Sequence, residues 1–395
     1  METVLSKKQE RFLLDDDKRI NLLTGSVRSG KTYVSLLKFI LFVAQSDKNS
    51  NFLMVGVSLT TLKRNCLDLL LDLAGSTNFW YSLNRKEGRL FGRKIFLEGA
   101  GDSTSEQKIR GLTLTGAYCD EVTLYKENFF TMLLSRLSVR GAKVYATCNP
   151  DAPSHYIKKR YIDRRNELSC KVWEFKIDDN TFLDPEYVEN LKREYTGVFY
   201  DRYVLGKWVK AEGLVYQMYD NTVETVDRPY EEYMVSMDYG IQNPTAMILW
   251  GRIGDTWYAT KEYYYSGREE KVQKTDEQYY HELEKLCDGV NVRTVIIDPS
   301  ASSFIALIRQ KKKFKARHAD NAVLEGIQHT ASALANKKIL FNDCCVRTID
   351  EFDAYSWDEK KENDTPIKEN DHAMDAVRYF VQTMRLFKTK KRYLA

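Results

Sequence analysis

The stretch "GSVRSGKT", residues 25–32, follows the apolar run "INLLT" and precedes "YVSLLKFILFVA". Its spacing is that of a loop that cradles phosphate. Gly25 and Gly30 permit the tight turn, and backbone N–H groups around Ser26 and Ser29 would surround the phosphates. The following helix would turn its positive N-terminus on the same group. Lys31 would reach the β- and γ-phosphates of ATP, and Thr32 would ligate Mg²⁺. The plain alternative is an ordinary Gly-rich βα turn.

Such a site needs an acidic pair at the end of another strand. "LTGAYCDE" supplies Asp120 and Glu121. Asp120 would hold the metal, directly or through water, and Glu121 would orient and activate the attacking water. Without the loop upstream, the same pair would read as a solvated strand end. Arg28, inside the loop, is open to three readings: it stabilises charge on the transferring phosphoryl group in cis, it swings between states, or it is a surface arginine paired with a carboxylate. Thr147 and Asn149, in "TCNP", either sense the γ-phosphate or merely end a strand before a proline.

A second set of residues suggests different chemistry. Asp238 in "VSMDYG" and Asp298 in "VIIDPS" end otherwise apolar runs, where charge is rare unless it coordinates something. Asp375, in "DHAMDAVRYFV", has Ala376, Val377, Phe380 and Val381 as neighbours and is expected to point inward from a helix. Three such carboxylates can hold two Mg²⁺ or Mn²⁺ ions for attack on a phosphodiester. Each aspartate alone also reads as a turn or cap residue. His372 shares the helix face of Asp375, either assisting that site or pairing with a carboxylate, and Asp371 is expected to be the helix N-cap.

The elements that must position these residues follow from the patterning. Residues 20 to 150 alternate β-rich runs ("INLLT", "NFLMVGV", "KIFLEGA", "LTGAYCDE", "KVYATCNP") with helical stretches such as "TLKRNCLDLLLDLAG", which Gly75 stops. This predicts a doubly wound α/β sheet, parallel at its centre. Residues 151 to 212 are mixed. Beyond "KAEGLVYQMYDNTVETVDRPYEEY" a second α/β set begins: the strand "YMVSMDYG", a hairpin turning at Gly254-Asp255, the helix "DEQYYHELEKLCDG", the strand "VRTVIIDPS", the helix "EGIQHTASALANK" and a closing helix. Two domains result, residues 1–212 and 213–395.

Composition agrees with a soluble globular class: 395 residues, 43% hydrophobic and 29% charged, with a net charge of +4. That charge is too small to demand a polyanion partner, although a local basic groove remains compatible with it. The 7 cysteines form no CxxC pair, and Cys344 and Cys345 are adjacent, which fits free thiols in a reducing compartment. No apolar run nears the roughly 18 residues of a membrane span, and the charged N-terminus does not fit a signal peptide.

The ordered set "GSVRSGKT", "IRGLTLTGAYCDEVTLY", "TCNP", "GKWVKAEGLVY", "MDYG", "IIDPS" and "DHAMDAVRY" resembles the large terminase subunit of tailed bacteriophages, over nearly the whole chain. The resemblance implies a RecA-like ATPase domain followed by an RNase H-like nuclease domain. It implies a motor that moves double-stranded DNA into a procapsid and cuts the concatemer. It assigns Lys31 and Thr32 to ATP and Mg²⁺, Asp120 to the metal, Glu121 and Arg28 to hydrolysis, and Thr147 and Asn149 to coupling. Asp238, Asp298 and Asp375 become the nuclease ligands, and Gln9 in "SKKQERFL" an adenine contact. The implied partners are the portal protein and procapsid, the small terminase subunit, and further copies in a ring on the portal, with a monomer as the alternative in solution. The implied setting is the host cytoplasm, outside the mature virion. The basic stretches "IKKRYIDRR", "RQKKKFKAR" and "KTKKRYLA" are candidate DNA contacts or solvated faces. Rival readings are a helicase-like ATPase whose second domain only binds DNA, and an ATPase carrying a capsid-docking module.

Overall fold

The computed structural model describes residues 5–386 apart from 103, 226–227, 241–242 and 269. The basic stretch "KTKKRYLA" lies outside the described residues. The chain divides into two compact units. One holds the residues up to Val188 together with Tyr200–Lys210; the other holds Glu189–Phe199 and the residues from Ala211 onward.

The first unit is built on strands β1 (Ile20–Gly25), β2 (Asn51–Gly56), β3 (Phe79–Ser82), β4 (Glu87–Leu90), β5 (Arg93–Gly99), β6 (Gly116–Cys119), β7 (Lys143–Cys148) and β8 (Cys170–Phe175). Their order is β3-β4-β5-β2-β6-β7-β1-β8. All pairings from β5 to β8 are parallel, and β3 and β4 add an antiparallel edge. The central strands are buried along most of their length, and their continuous apolar runs are what a parallel sheet covered on both faces requires. Because β1, β6 and β7 run the same way, the residues after Gly25, Cys119 and Cys148 emerge at one end of the sheet. Ligands in open α/β sheets bind at this carboxyl end.

Three features depart from the sequence reading. The β3–β4 hairpin and β8 are additional strands; β8 falls in the stretch read only as mixed, and its weak alternation of buried and half-buried residues gave little signal. The expected helix near residues 61–75 is interrupted: helical residues Leu59–Leu62 pass into a π turn, Lys63–Leu67, before the helix resumes over Asp68–Ala74 and stops at Gly75. The stretch "IKKRYIDRR" forms a second π turn, Ile157–Ile162. Several of its cations are paired within the unit, Arg160 with Glu127 at 2.5 Å, Arg164 with Glu167 at 2.8 Å, and Lys158 with Asp163.

The second unit holds β9 (Thr222–Val223), β10 (Glu232–Asp238), β11 (Thr245–Ile253), β12 (Thr256–Tyr265), β13 (Val292–Ile297), β14 (Lys315–His318) and β15 (Ile339–Asn342), in the order β14-β13-β10-β11-β12-β15-β9. Strands β10, β11 and β12 form an antiparallel meander, and β13 joins β10 in parallel. On one face, Val235, Met237 and Leu249 pack with Tyr279 and Leu283 of the helix Asp276–Leu286 and Phe304 of the helix Ser302–Lys311. The closing helix, His372–Met384, lies against β10, β11 and the helix Val323–Ala335 and is buried almost all round. Trp250 stacks on its Phe380 with ring centres 4.3 Å apart and donates its indole N–H to Ser236.

All seven cysteines are free; six are buried, and Cys344 is exposed. Among the described residues no helix is long and apolar enough to cross a membrane.

Candidate functional site

In the first unit the loop leaves β1 at Gly25, whose φ is +136°. A Cβ there would lie 1.8 Å from the carbonyl oxygen of Phe175 in β8, so both backbone and space require glycine. The Ser26 N–H donates to that same oxygen at 2.8 Å. Ser26 Oγ donates to Val204 O and accepts from Ile177 N–H, and Ser29 Oγ donates to Ser26 O. The helix Lys31–Gln45 then begins behind Gly30, itself left-handed at φ +83°.

Lys31 is buried and turned onto the loop. Its ammonium donates to Gly25 O at 3.0 Å, Ser26 O at 2.6 Å and Asn149 Oδ1 at 3.2 Å. Burial pulls its pKa down to about 8, against the negative charges of Asp120 and Glu121. Thr32 opens the helix beside it, half-buried. Gln9 lies against the loop: its amide N–H₂ reaches Gly30 O at 3.5 Å, while its Oε1 accepts from Ser6 N–H in a helix-capping box. Arg28 is exposed at φ +57°, and its carbonyl accepts from Asn180 Nδ2 at 2.8 Å.

The acidic pair follows β6. Asp120 Oδ1 accepts from Thr147 Oγ1 at 2.8 Å, and its Oδ2 accepts from Asn65 Nδ2 at 3.0 Å. Thr147 Oγ1 also accepts from the Glu121 N–H at 3.2 Å, so one threonine ties both acidic residues to β7. Glu121 sits at φ +58°, ψ +51°, a conformation that costs a non-glycine residue about 1–2 kcal/mol. Burial raises its carboxyl pKa and the Asp120 charge adds to that, while Arg64 and Lys31 oppose it. Asn149 meets Lys31 through its side chain, and its carbonyl accepts from Thr123 Oγ1 at 3.3 Å. Lys31, Asp120, Glu121, Thr147 and Asn149 therefore meet at the carboxyl ends of β1, β6 and β7. Asn65 and Thr123 join them without having been singled out in the sequence.

In the second unit Asp238 ends β10 and Asp298 follows β13. These strands pair in parallel with Met237 opposite Ile297, so the two aspartates emerge side by side. The closing helix brings His372 and Asp375 to the same place. His372 Nδ1 lies 2.8 Å from Asp238 Oδ2. Asp298 accepts from the Ser300 N–H at 2.7 Å and from Asn321 Nδ2 at 3.1 Å. Asp375 accepts from Arg378 at 2.7 Å and 3.2 Å, and the Arg378 guanidinium also donates to Asn321 O and Ala322 O. Gly326 makes room for Arg378, since a Cβ there would lie 2.6 Å from its Cγ.

The electrostatics follow from this crowding. Burial raises the Asp238 carboxyl pKa, and Asp375 and Asp298 add to it against His372. Burial lowers the His372 pKa, but Asp238, helped by Asp371 and Glu351, outweighs it and leaves the imidazole raised. Among the described residues no three His, Cys, Asp or Glu side chains form a ready metal cage. His372 and Arg378 occupy carboxylate oxygens that such a cage would use. The donor set, hard carboxylate oxygens gathered at one point, nevertheless fits Mg²⁺ or Mn²⁺.

Asp371 holds the N-cap position, but its side chain makes no capping hydrogen bond. The cap comes from Glu351, whose Oε2 accepts from the N–H groups of Ala373 at 2.8 Å and Met374 at 3.1 Å. The sequence reading missed this because the capping residue lies on a separate helix, Val346–Ala354.

The family model described as terminase large subunit, T4likevirus-type, N-terminal, matches residues 22–222. The large terminase of a thermophilic bacteriophage is 41% identical, with a TM-score of 0.90, and the match covers 97% of this chain and 100% of that one. The same phage protein in complex with ADP gives 41% identity over 96% and 100% of the two chains, with a TM-score of 0.89. Its complex with ATP-γ-S gives 40% identity over 96% and 98%, with a TM-score of 0.87. No curated protein matches.

Proposed function

The chain belongs to the phage large terminase family, and from that premise we propose that it is the ATP-driven subunit that moves double-stranded viral DNA into a procapsid and cuts it. The observation that carries the reading is the meeting of Lys31, Asp120, Glu121, Thr147 and Asn149 at the carboxyl ends of three parallel strands. The complexes of the thermophilic phage terminase with ADP and ATP-γ-S support nucleotide binding by this chain.

In the proposed cycle, Lys31 leaves the neutral carbonyls of Gly25 and Ser26 for the β- and γ-phosphates, where a charge-assisted bond is stronger. Asn149 then loses its lysine partner. Thr123, bonded to the Asn149 carbonyl, lies where that change can be passed on. Thr147 keeps Asp120 and Glu121 in register, with Asp120 and Thr32 on the Mg²⁺ side and Glu121 on the attacking water. Arg28, on the loop itself, supplies positive charge toward the transferring phosphoryl group.

In the second unit Asp238, Asp298 and Asp375 would hold one or two Mg²⁺ or Mn²⁺ ions. When bound, these ions supply an activated water and stabilise the departing oxygen. His372 and Arg378 hold the Asp238 and Asp375 carboxylates in place. DNA is held through its phosphates, so affinity falls steeply with salt. The assembly proposed is a ring of copies on the portal, fed by the small subunit.

The test is ATP hydrolysis with and without DNA, run beside plasmid cleavage in Mn²⁺. DNA-stimulated hydrolysis together with cleavage supports the reading. Absence of ATP hydrolysis overturns the motor assignment, and absence of cleavage overturns the nuclease assignment.

A further inference from the structure

The π turn Lys63–Leu67 sits on the approach to the acidic pair. Its entry is fixed on both sides. Ser58 caps the preceding helical turn through a reciprocal bond with Thr61, and Leu62 packs so closely on β2 that a Cβ at Gly56 would lie 2.9 Å from its Cβ. At its far end Cys66 and Leu67, and Leu70 in the helix that follows, are fully buried. The wide turn is confined between these anchors, and π turns in otherwise α-helical segments are commonly found at functional sites.

This turn carries Arg64 and Asn65. Asn65 Nδ2 donates to Asp120 Oδ2 at 3.0 Å, and Asn65 Oδ1 accepts from Arg64 Nε at 3.3 Å. The chemistry fixes the amide orientation: the carboxylate needs a donor and the guanidinium needs an acceptor. Thr147 holds the other oxygen of Asp120, so the carboxylate is gripped from two elements, β7 and the π turn. The Asp120 N–H donates to Val55 O in β2, the strand that leads into the turn, so backbone and side chain are referred to one anchor.

We propose that Asn65 is a positioning residue for ATP hydrolysis, setting the Asp120 carboxylate for the nucleotide-bound Mg²⁺, and that Arg64 fixes the Asn65 amide and lends positive charge beside the acidic pair. This rests on the reading of the first unit as an ATPase. The same Asn65 amide that holds Asp120 accepts from Arg64 Nε, which brings the guanidinium to the acidic pair's side of the turn. The consequence is that the π turn governs the metal requirement of hydrolysis and leaves nucleotide affinity to the loop.

The experiment measures ATP hydrolysis against Mg²⁺ concentration in full-length wild type, Asn65→Ala, Asn65→Asp and Arg64→Ala, beside binding of a fluorescent ADP analogue without Mg²⁺. Asn65→Ala is expected to lose roughly 10–100-fold in kcat or Mg²⁺ affinity, the scale for a group that orients a metal ligand. Its analogue binding and Tm should stay near wild type. Asn65→Asp, similar in shape but facing Asp120 with like charge, should lose more, and excess Mg²⁺ should partly restore it. Arg64→Ala, altered at an exposed side chain, should shift the Mg²⁺ curve the same way by a smaller amount. Wild-type hydrolysis and an unchanged Mg²⁺ curve in Asn65→Asp and Arg64→Ala overturn the inference even if Asn65→Ala does not fold. An inactive wild type instead overturns the ATPase reading on which it rests.

Discussion

Asp238 Oδ2 and His372 Nδ1 lie 2.8 Å apart although 134 residues separate them, because β10 ends against the first turn of the closing helix. The contact joins a strand end to a helix start and sets the spacing of the carboxylate cluster. Asparagine at Asp238, Asp298 or Asp375 keeps the shape but removes a charge. Each change is expected to abolish Mn²⁺-dependent plasmid cleavage while ATP hydrolysis stays near wild type. His372→Ala should be milder. Wild-type cleavage by both Asp238→Asn and Asp375→Asn would end the nuclease reading.

Glu351 should matter to the same site from a distance. Its carboxylate satisfies two N–H groups at the start of the helix that bears His372 and Asp375. Glu351→Ala is expected to destabilise the protein by about 0.5–2 kcal/mol, the range for a lost N-cap. Cleavage should fall with the loosened helix start, and the ATP hydrolysis rate should not. Thermal unfolding and both assays on one preparation check this.

Lys31→Ala should weaken nucleotide binding, since it removes the charge placed for the phosphates. Glu121→Gln should bind nucleotide and fail to turn over. Arg28→Ala should slow turnover with little change in Tm, and Arg28→Lys should rescue poorly because lysine lacks the planar fork. Steady-state rates beside analogue binding separate these effects. Wild-type turnover by Glu121→Gln would remove its assigned role.

Acid should weaken the first unit through Asp17. Its carboxylate accepts from Tyr145 Oη at 2.6 Å and pairs with Lys38 at 3.0 Å and Lys143 at 3.1 Å. Burial pushes its pKa up, but these three partners prevail and leave it below the ordinary value. A depressed folded pKa means that the stabilisation is complete above the unfolded value near about 4 and is lost as pH falls through the folded one. Asp17→Asn should cost about 1–3 kcal/mol at neutral pH. It should also flatten the acid limb of Tm against pH. An unchanged acid limb would remove Asp17 as its source.

The part of the second unit from residue 213 onward is expected to fold alone, without Glu189–Phe199. A fragment beginning near residue 213 retains all of the seven-stranded sheet and the three aspartates. It should cleave DNA without ATP. A soluble, folded fragment inert with both Mg²⁺ and Mn²⁺ would count against this.

The strand ends that carry Asp120, Asp238 and Asp298 were legible in the sequence because each pairs an apolar run with a polar residue at its close, and Lys31 because the spacing of its Gly-rich loop is likewise a local pattern. Asn65 was not, since nothing in its spacing along the chain marks it and its partner Asp120 lies 55 residues away. Glu351 and Arg378 were hidden for a related reason. A glutamate on one helix that caps another, and an arginine admitted by a glycine on a neighbouring helix, are relations of packing, invisible to spacing along the chain. Strand β8 escaped because its charged and half-buried residues blur the alternation that marks a strand.

The distribution of thiols has a practical use. With Cys66, Cys119, Cys148, Cys170, Cys287 and Cys345 buried and Cys344 exposed, the natural chain already offers a single addressable sulfur. A maleimide dye under native conditions should attach at Cys344, a position following β15 in the second unit. Individual copies could then be counted or followed by fluorescence without rebuilding the protein around an engineered handle.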